Sequence, residues 1–301
     1  MHDLTLGLPT ATLPKLATRQ PDSHKGSYGH ALLIGGSRGM AGSISLTASA
    51  ALHTGAGLVT QAIPDRILET VAVLNPCAMC LPLLDDAQGR IVSGAYAQVA
   101  ERFHKTDCIA CGPGLGRSPE LQDFTCRLVR EAPLPCVIDA DALNNLADAG
   151  GWPVSAPLSS QVTSDVSLPG PRILTPHPGE WERLSGVVAR DTESQRQAAI
   201  EFARRHGVVV VLKGYRTLVT DGERAYINQT GSPAMATGGS GDVLTGIIAA
   251  LVCQRLAPLA AAVLGVYCHG LAAERSPRTH VVLPTDLIAN IGGVLAEWGH
   301  D

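Results

Sequence analysis

A glycine-rich segment that ends in a single carboxylate is the part of this sequence best suited to chemistry. Thr237–Gly241 carries almost no side chain, and Asp242 follows it directly. Glycines allow successive backbone N–H groups to turn inward, and the first turn of a helix adds unpaired donors, so the segment suits a bound phosphate. Asp242 would then be the base that takes a proton from a hydroxyl attacking phosphorus.

A plainer interpretation of Asp242 stays open, because the helix dipole favours an acid in the first turn of any helix. That interpretation does not explain the bare run before it, so the catalytic one is favoured. Two other glycine clusters, Gly35–Gly42 and Gly112–Gly116, also follow apolar runs. None of the three clusters closes with the Lys-Ser/Thr of a Walker loop, and none has a dinucleotide-binding fingerprint. A tight turn explains the other two as well as a ligand does.

The elements that must position these residues alternate along the chain, because apolar runs ending in glycine are repeatedly followed by helical patterns. This order predicts an α/β fold, doubly wound, with a mainly parallel central sheet flanked by helices. The continuous run Val208–Leu212 suits a strand buried on both faces. The other predicted strands lie in His30–Gly36, Cys108–Gly114, Pro135–Asp141 and Arg172–Glu180, and the predicted helices are Ser43–His53, Pro119–Arg130, Ala142–Ala147, Trp181–Ser185 and Thr192–His206.

The last third of the chain departs from this alternation. Thr217–Gly222 and Arg224–Asn228 are predicted to form an antiparallel pair joined at a tight turn. Three helices follow from Ser240 on, and the first has apolar residues at helical spacing on one face. These residues are Val243, Leu244, Ile247, Ile248, Leu251 and Val252.

The chain is interpreted as one catalytic domain, residues 24–301, with residues 1–23 as a lead-in. Gly150–Gly170, rich in Ser, Pro and Gly, is predicted to be a surface loop. The formal net charge is −4 and no basic run occurs, which argues against a nucleic-acid partner. Without a signal-peptide core or an apolar stretch of membrane length, we expect a soluble, cytoplasmic protein.

Two Cys-x-x-Cys pairs, Cys77/Cys80 and Cys108/Cys111, superficially suggest zinc. The second pair lies in a predicted strand, where residues three apart point to opposite faces and could not easily share a metal. The cysteines are therefore predicted to be buried, reduced thiols.

Six segments together resemble the ADP/ATP-dependent NAD(P)H-hydrate dehydratase family of the ribokinase-like superfamily. They cover roughly residues 24 to 275 in the family's order, which makes the resemblance specific. The segments are HKGSYGHALLIGGS (His24–Ser37), CGPGLGR (Cys111–Arg117), VIDADALN (Val137–Asn144), ILTPHPGE (Ile173–Glu180), VVLKGYRT (Val210–Thr217) and MATGGSGDVLTGI (Met235–Ile247).

The resemblance implies a lyase that repairs NADH or NADPH hydrated at C6 of the nicotinamide ring, with ADP or ATP as co-substrate, ADP being favoured. It implies Asp242 as the base and Gly239, Ser240 and Gly241 as donors to the transferred phosphate. It further implies Mg²⁺, held through water by Glu180, although Glu180 would also suit the start of a helix. The implied nucleotide-binding residues are Lys213, Gly214, Tyr215, Arg216 and Thr217, with Gly241, and the implied substrate-binding residues are Ser43, Gly114, Gly116 and His177, with Asp242.

Several residues in these segments have plainer interpretations. Lys213 could extend from a strand end into solvent, and His177 could be an ordinary loop residue. Asp139 and Asp141 match a family segment, but turn or helix-cap duty explains them at least as well. The segment Gly231–Met235 reads Gly-Ser-Pro-Ala-Met where many members have Gly-Asn-Pro-Gly-Met, which puts a nucleotide contact there in doubt.

The resemblance also implies a homo-oligomer and no membrane partner, with any epimerase on a separate chain. One rival is a kinase of the same superfamily acting on a vitamin-precursor alcohol, against which HPGE and KGYRT argue. A second rival is a nucleotide-sensing or scaffold protein, which would need the phosphate-binding segment but not Asp242.

Overall fold

A computed structural model describes residues 8–152, 168–188, 191–277 and 280–298. In this part of the chain a nine-stranded sheet has the order β3-β2-β1-β4-β5-β6-β7-β8-β9. Neighbours from β3 through β7 run parallel, and β7, β8 and β9 pair antiparallel. The strands are β1 His30–Ile34, β2 Leu58–Pro64, β3 Met79–Leu83, β4 Cys108–Cys111, β5 Cys136–Ile138, β6 Arg172–Leu174, β7 Val209–Leu212, β8 Leu218–Thr220 and β9 Ala225–Ile227.

Helices cover both faces of the sheet, which confirms the predicted doubly wound α/β fold. One apolar core joins the sheet to α1, α8, α9 and α10, and the other joins it to α3–α7. The helices are α1 Ala41–Thr54, α2 Leu68–Leu74, α3 Tyr96–Ala100, α4 Pro119–Glu131, α5 Ala140–Asp148, α6 Pro178–Ser185, α7 Thr192–His206, α8 Ser240–Cys253, α9 Pro258–Glu274 and α10 Pro284–Trp298.

Helix α8 was predicted to bury one apolar face. In the structure its residues from Val243 to Cys253 are all buried. It lies between the sheet and the neighbouring helices, so no face of this stretch meets solvent. Contact with α1 is close: a Cβ on Gly246 would lie 2.1 Å from the carbonyl oxygen of Thr47. A side chain at position 246 would therefore force the two helices apart.

The first described residues of the lead-in pack against the antiparallel edge of the sheet. Ala11 N–H donates to the carbonyl of Ala225 at 2.9 Å, and Ala225 N–H donates to the carbonyl of Pro9 at 3.1 Å. Ala11 is itself buried. The boundary at residue 23 stays a prediction, and most of the loop predicted at Gly150–Gly170 lies outside the described residues.

The strand argument for the second cysteine pair is confirmed, since Cys108 and Cys111 belong to the cores on opposite faces of the sheet. The prediction of buried thiols is wrong for Cys77, which is exposed, and Cys80 is partly buried. Cys77 precedes β3, which lies at one edge of the sheet. Among the described residues, no helix combines the length and apolarity that crossing a bilayer requires.

Candidate active site

The candidate site lies where the loops after the parallel strands meet the start of α8. Parallel strands present their carboxyl ends at one edge, so the residues after β4, β5, β6 and β7 collect there. The first turn of α8 joins them, because a Cβ on Gly241 would lie 3.3 Å from Lys213 Nζ and 3.9 Å from Asp139 Oδ2. Segments far apart in sequence therefore surround one short stretch of bare backbone.

The start of α8 presents free backbone donors. Gly239 occupies the N-cap position in a left-handed conformation, φ 90°, and no side chain caps the helix. Within the described part of the chain, the N–H groups of Gly238, Gly239, Gly241 and Asp242 find no acceptor. A Cβ on Gly239 would also lie 2.8 Å from Leu46 Cδ1. The bare sequence thus produces the geometry expected of an anion site.

Asp242 stands in the first turn of α8, as predicted, and is partly buried. Burial, helped by the nearby negative charge of Asp139, raises the pKa of its carboxyl to about 6. A hydrogen bond from the side chain of Ser43 and the positive charge of Lys213 oppose the rise in this pKa. The carboxylate is therefore a stronger base than an exposed aspartate and is held by α1 from one side.

Asp139 occupies the N-cap position of α5, as the sequence suggested, but its side chain does not cap the helix. It is 1% exposed, and its oxygens accept instead from Lys213 Nζ at 2.7 Å and from Thr245 Oγ1 at 2.6 Å. Lys213 is likewise not extended into solvent, since its side chain is 19% exposed and paired. The two residues form a buried ion pair directly beneath the first turn of α8.

Asp141 and the glycines after β4 shape the neighbouring wall. Asp141 Oδ2 accepts from Gly116 N–H at 2.9 Å, which ties the glycine loop to α5. A Cβ on Gly114 would lie 2.7 Å from the carbonyl of Met40 and 2.9 Å from Ser43 Cβ. Ser43 lies in the first turn of α1 rather than in the preceding loop. Ser43 and Gly114, both predicted to bind substrate, are thus in contact.

His177 and Glu180 form a reciprocal cap at the start of α6. His177 Nδ1 accepts from Gly179 N–H at 3.0 Å and from Glu180 N–H at 3.3 Å, and Glu180 Oε2 accepts from His177 N–H at 2.8 Å. Burial and the charge of Lys213 lower the pKa of His177, while burial raises that of Glu180. The imidazole is therefore neutral and half exposed, and its Nε2 lies 3.4 Å from Glu180 Oε1.

The segment Lys213–Thr217 forms a compact loop between β7 and β8. Gly214 and Arg216 have positive φ values of 153° and 56°. Thr217 Oγ1 donates to the carbonyl of Gly214 at 3.1 Å, which closes the turn. Tyr215 at its tip is 89% exposed, with the Arg216 guanidinium 5.5 Å from the ring centroid. The loop places an unburied aromatic ring two residues from the buried ammonium.

Two residues of the site were missed from the sequence. Thr245, which holds Asp139, is a fully buried polar residue within the apolar stretch of α8 that follows its first turn. His269 on α9 lies with Nε2 3.4 Å from Ser240 Oγ, and burial lowers its pKa to about 4, so it is neutral. In the sequence, the available signal for each was a polar residue within a mostly apolar helical pattern.

Comparison with known proteins agrees with the geometry. A family model described as NAD(P)H-hydrate dehydratase matches residues 31–292. The chain is 43% identical over 267 residues to the bifunctional NAD(P)H-hydrate repair enzyme of Moorella thermoacetica, covering 88% of this chain and 48% of that protein. It thus spans about half the length of the curated relatives it matches.

Solved structures give the same result for the fold. The ADP/ATP-dependent NAD(P)H-hydrate dehydratase of Bacillus subtilis, crystallised with ATP and Mg²⁺, is 28% identical with a TM-score of 0.78, covering 97% of this chain and 99% of that one. A ribokinase-like superfamily protein of Enterococcus faecalis is 25% identical with a TM-score of 0.76, covering 95% and 93%. The sheet and its helices are therefore those of the ribokinase-like fold.

Proposed function

The chain belongs to the NAD(P)H-hydrate dehydratase family, and from that premise we propose that it restores hydrated NADH and NADPH to the intact cofactors, using ADP or ATP. The observation that carries the proposal is the position of Asp242. Its carboxylate shares one helical turn with backbone donors that are free in the described chain. A protein that merely bound nucleotide would need these donors but no partly buried carboxylate beside them.

The proposed reaction turns a poor leaving group into a good one. The hydroxyl on C6 of the hydrated ring attacks the terminal phosphorus of the nucleotide, its proton passes to Asp242, and AMP leaves from ADP, or ADP from ATP. The lone pair of the ring nitrogen then expels phosphate together with the electrons of the C–O bond. Loss of a proton from the neighbouring ring carbon restores the dihydronicotinamide.

The residues around Asp242 support distinct parts of this scheme. Gly239 and Gly241 would donate to the transferred phosphate, and donors fixed before the reaction need no reorganisation. Ser240, also predicted as a donor, instead donates its N–H to the carbonyl of Thr237 at 3.3 Å. We propose that the loop Lys213–Thr217 binds the nucleotide. Ser43, Gly114, Gly116 and His177 would bind the hydrated dinucleotide on the other side of Asp242, where the first two are already in contact.

Mg²⁺ is proposed to accompany the nucleotide, where it would neutralise phosphate charge. Asp139 is already engaged by the protein, since its two oxygens accept hydrogen bonds from Lys213 and Thr245. Glu180 fits a contact through water, because its Oε1 faces only the His177 ring at 3.4 Å among the contacts described. Mg²⁺ commonly keeps several waters and binds through substrate phosphates in this way.

A recovery assay tests the proposal. Hydrated NADH or NADPH is supplied with Mg²⁺ and either ADP or ATP, and the absorbance of the reduced nicotinamide is followed. We expect it to return with at least one nucleotide, with inorganic phosphate released in equal amount. Failure with both nucleotides would reject the dehydratase function, and accumulation of a stable phosphorylated product would favour the kinase alternative.

Cell compartment, oligomeric state and partner activity are also part of the proposed function. We propose a cytoplasmic homo-oligomer that acts beside an epimerase activity. Size determination in solution and a coupled assay with the epimer of the hydrate would test these points.

A further inference from the structure

Lys213 lies among acidic side chains that come from three different elements. Its Nζ is 2.7 Å from Asp139 Oδ1 and 3.8 Å from Glu180 Oε2. Asp242 is close enough that each of the two charges influences the other. Asp139 and Glu180 are both buried, so bulk water screens the charge of neither carboxylate effectively.

Buried carboxylates that converge on one point are commonly the ligands of a divalent ion. Here the oxygens are already engaged by the protein. Lys213 Nζ and Thr245 Oγ1 use both oxygens of Asp139, and the His177 N–H uses Oε2 of Glu180. In the described part of the chain, no group of three His, Cys, Asp or Glu side chains could hold a metal.

The absence of a side chain at Gly241 leaves space for the ammonium group of Lys213. A Cβ at position 241 would approach Lys213 Nζ to 3.3 Å, so the glycine leaves room for the ammonium beneath α8. An ammonium offers three donors and one positive charge, and its flexible stem lets it turn between partners. Lys213 can therefore keep its hydrogen bond to Asp139 while it directs another N–H donor toward an arriving phosphate.

We propose that Lys213 is a resident cation that occupies the Asp139–Glu180 carboxylate cluster, so that the nucleotide-free protein takes up no divalent ion there and Mg²⁺ enters only with the nucleotide. The inference does not depend on the dehydration reaction, because it concerns metal binding by the free protein. Under the same proposal Glu180 contacts Mg²⁺ only through water, because the ammonium group of Lys213 lies 3.8 Å from its Oε2.

Titration with Mn²⁺ in the absence of nucleotide, followed by the electron paramagnetic resonance signal of the free ion, tests the proposal. The wild-type full-length chain should leave the signal unchanged apart from weak surface binding. Lys213→Met removes the charge and keeps the apolar stem, and should bind one Mn²⁺ per chain at least tenfold more tightly than wild type. Adding Asp139→Asn to Lys213→Met should abolish this gain.

Lys105→Met is the matched control, because Lys105 is exposed and precedes β4 at the opposite edge of the sheet. It should behave as wild type. Circular dichroism checks the fold of each variant, and Lys213→Gln replaces Lys213→Met if the latter does not fold. The proposal is overturned if wild type binds one Mn²⁺ that Asp139→Asn removes, or if neither Lys213 variant gains binding.

Discussion

At the scale of single residues, the site depends on the balance of charge around Asp242. Burial and Asp139 raise the pKa of its carboxyl to about 6, while Ser43 and Lys213 hold it down. A general base works best when its pKa lies near the working pH, because it is then both deprotonated and a good proton acceptor. The raised pKa of Asp242 is thus produced by its surroundings, which supply partners from three other elements.

Asp242→Asn keeps the size of the side chain and removes the base. We expect turnover in the recovery assay to fall by ~10²-fold or more, because general bases typically supply 10²–10⁴-fold. Nucleotide affinity, measured by calorimetry with Mg²⁺ present, should change little. Turnover within a few fold of wild type would rule out the base assignment.

The same variant should be more stable than wild type above pH 6. The pKa of Asp242 is about 6 in the folded protein, against 3.8 as its ordinary value. The folded state therefore binds more protons than the unfolded state between these values, and ionisation of Asp242 destabilises it as pH rises through this window. Urea unfolding should show a gain of about 3 kcal/mol at pH 8 that shrinks toward pH 4, since each unit of the pKa shift corresponds to about 1.4 kcal/mol.

Ser43→Ala should shift the pH dependence of the reaction. Loss of the hydrogen bond that lowers the pKa of Asp242 moves this pKa upward. The acid limb of kcat/KM, where the rate falls tenfold per pH unit, should then move to higher pH. Ser49→Ala on the same helix is the control, and an acid limb at the same pH in both variants would contradict the role of Ser43.

At the scale of elements, α1 and α8 position the site through their mutual contact. Gly246 lets α8 approach the backbone of α1 at Thr47. That approach brings Ser43 at the start of α1 to Asp242 at the start of α8. Neither helix could shift without changing the surroundings of the base.

Gly246→Ala should therefore lower stability and activity together. The added methyl would lie 2.1 Å from a backbone oxygen, so the helices must separate. We expect the free energy of unfolding to fall by about 2–4 kcal/mol, as in other overpacked or disrupted cores, and turnover to fall at least tenfold. Gly292→Ala on α10 has open space around it and should stabilise slightly.

Local sequence signals predicted the helices and strands better than the contacts between residues far apart in the sequence. Helix α7 begins and ends where predicted, because Asp191 caps its start and Gly207 ends it in a left-handed conformation. The partners of Asp139 lie 74 and 106 residues along the chain, and its own neighbourhood indicated only a helix cap. The sheet order that unites them depends on packing of the whole chain, which no local pattern encodes.

At the scale of the whole molecule, the segment 8–11 covers the antiparallel edge of the sheet. Its backbone pairs with β9 and its Ala11 enters the core. A free strand edge can pair with other chains, and natural proteins commonly cover it. The lead-in is therefore part of the packed structure where it is described.

Ala11→Asp should detach this segment, because a carboxylate would be placed in an apolar core without a partner. Tryptic cleavage after Lys15 and Arg19 should become at least tenfold faster, with little loss of stability in the remaining chain. Thr12→Asp changes the exposed neighbouring residue and should leave the cleavage rate unchanged. Equal rates in the two variants would show that the segment is not held by Ala11.

The position of Trp181 has a spectroscopic consequence. Its indole is fully buried on α6, packed 5.2 Å from the ring of Phe202, and it follows Glu180 directly. Indole emission overlaps the absorption of reduced nicotinamide, whereas the hydrated ring lacks that absorption band. If the proposed reaction takes place, energy transfer from Trp181 to the restored cofactor would quench this emission, and Trp181 would then be an intrinsic optical reporter that distinguishes the proposed product from the proposed substrate without a label.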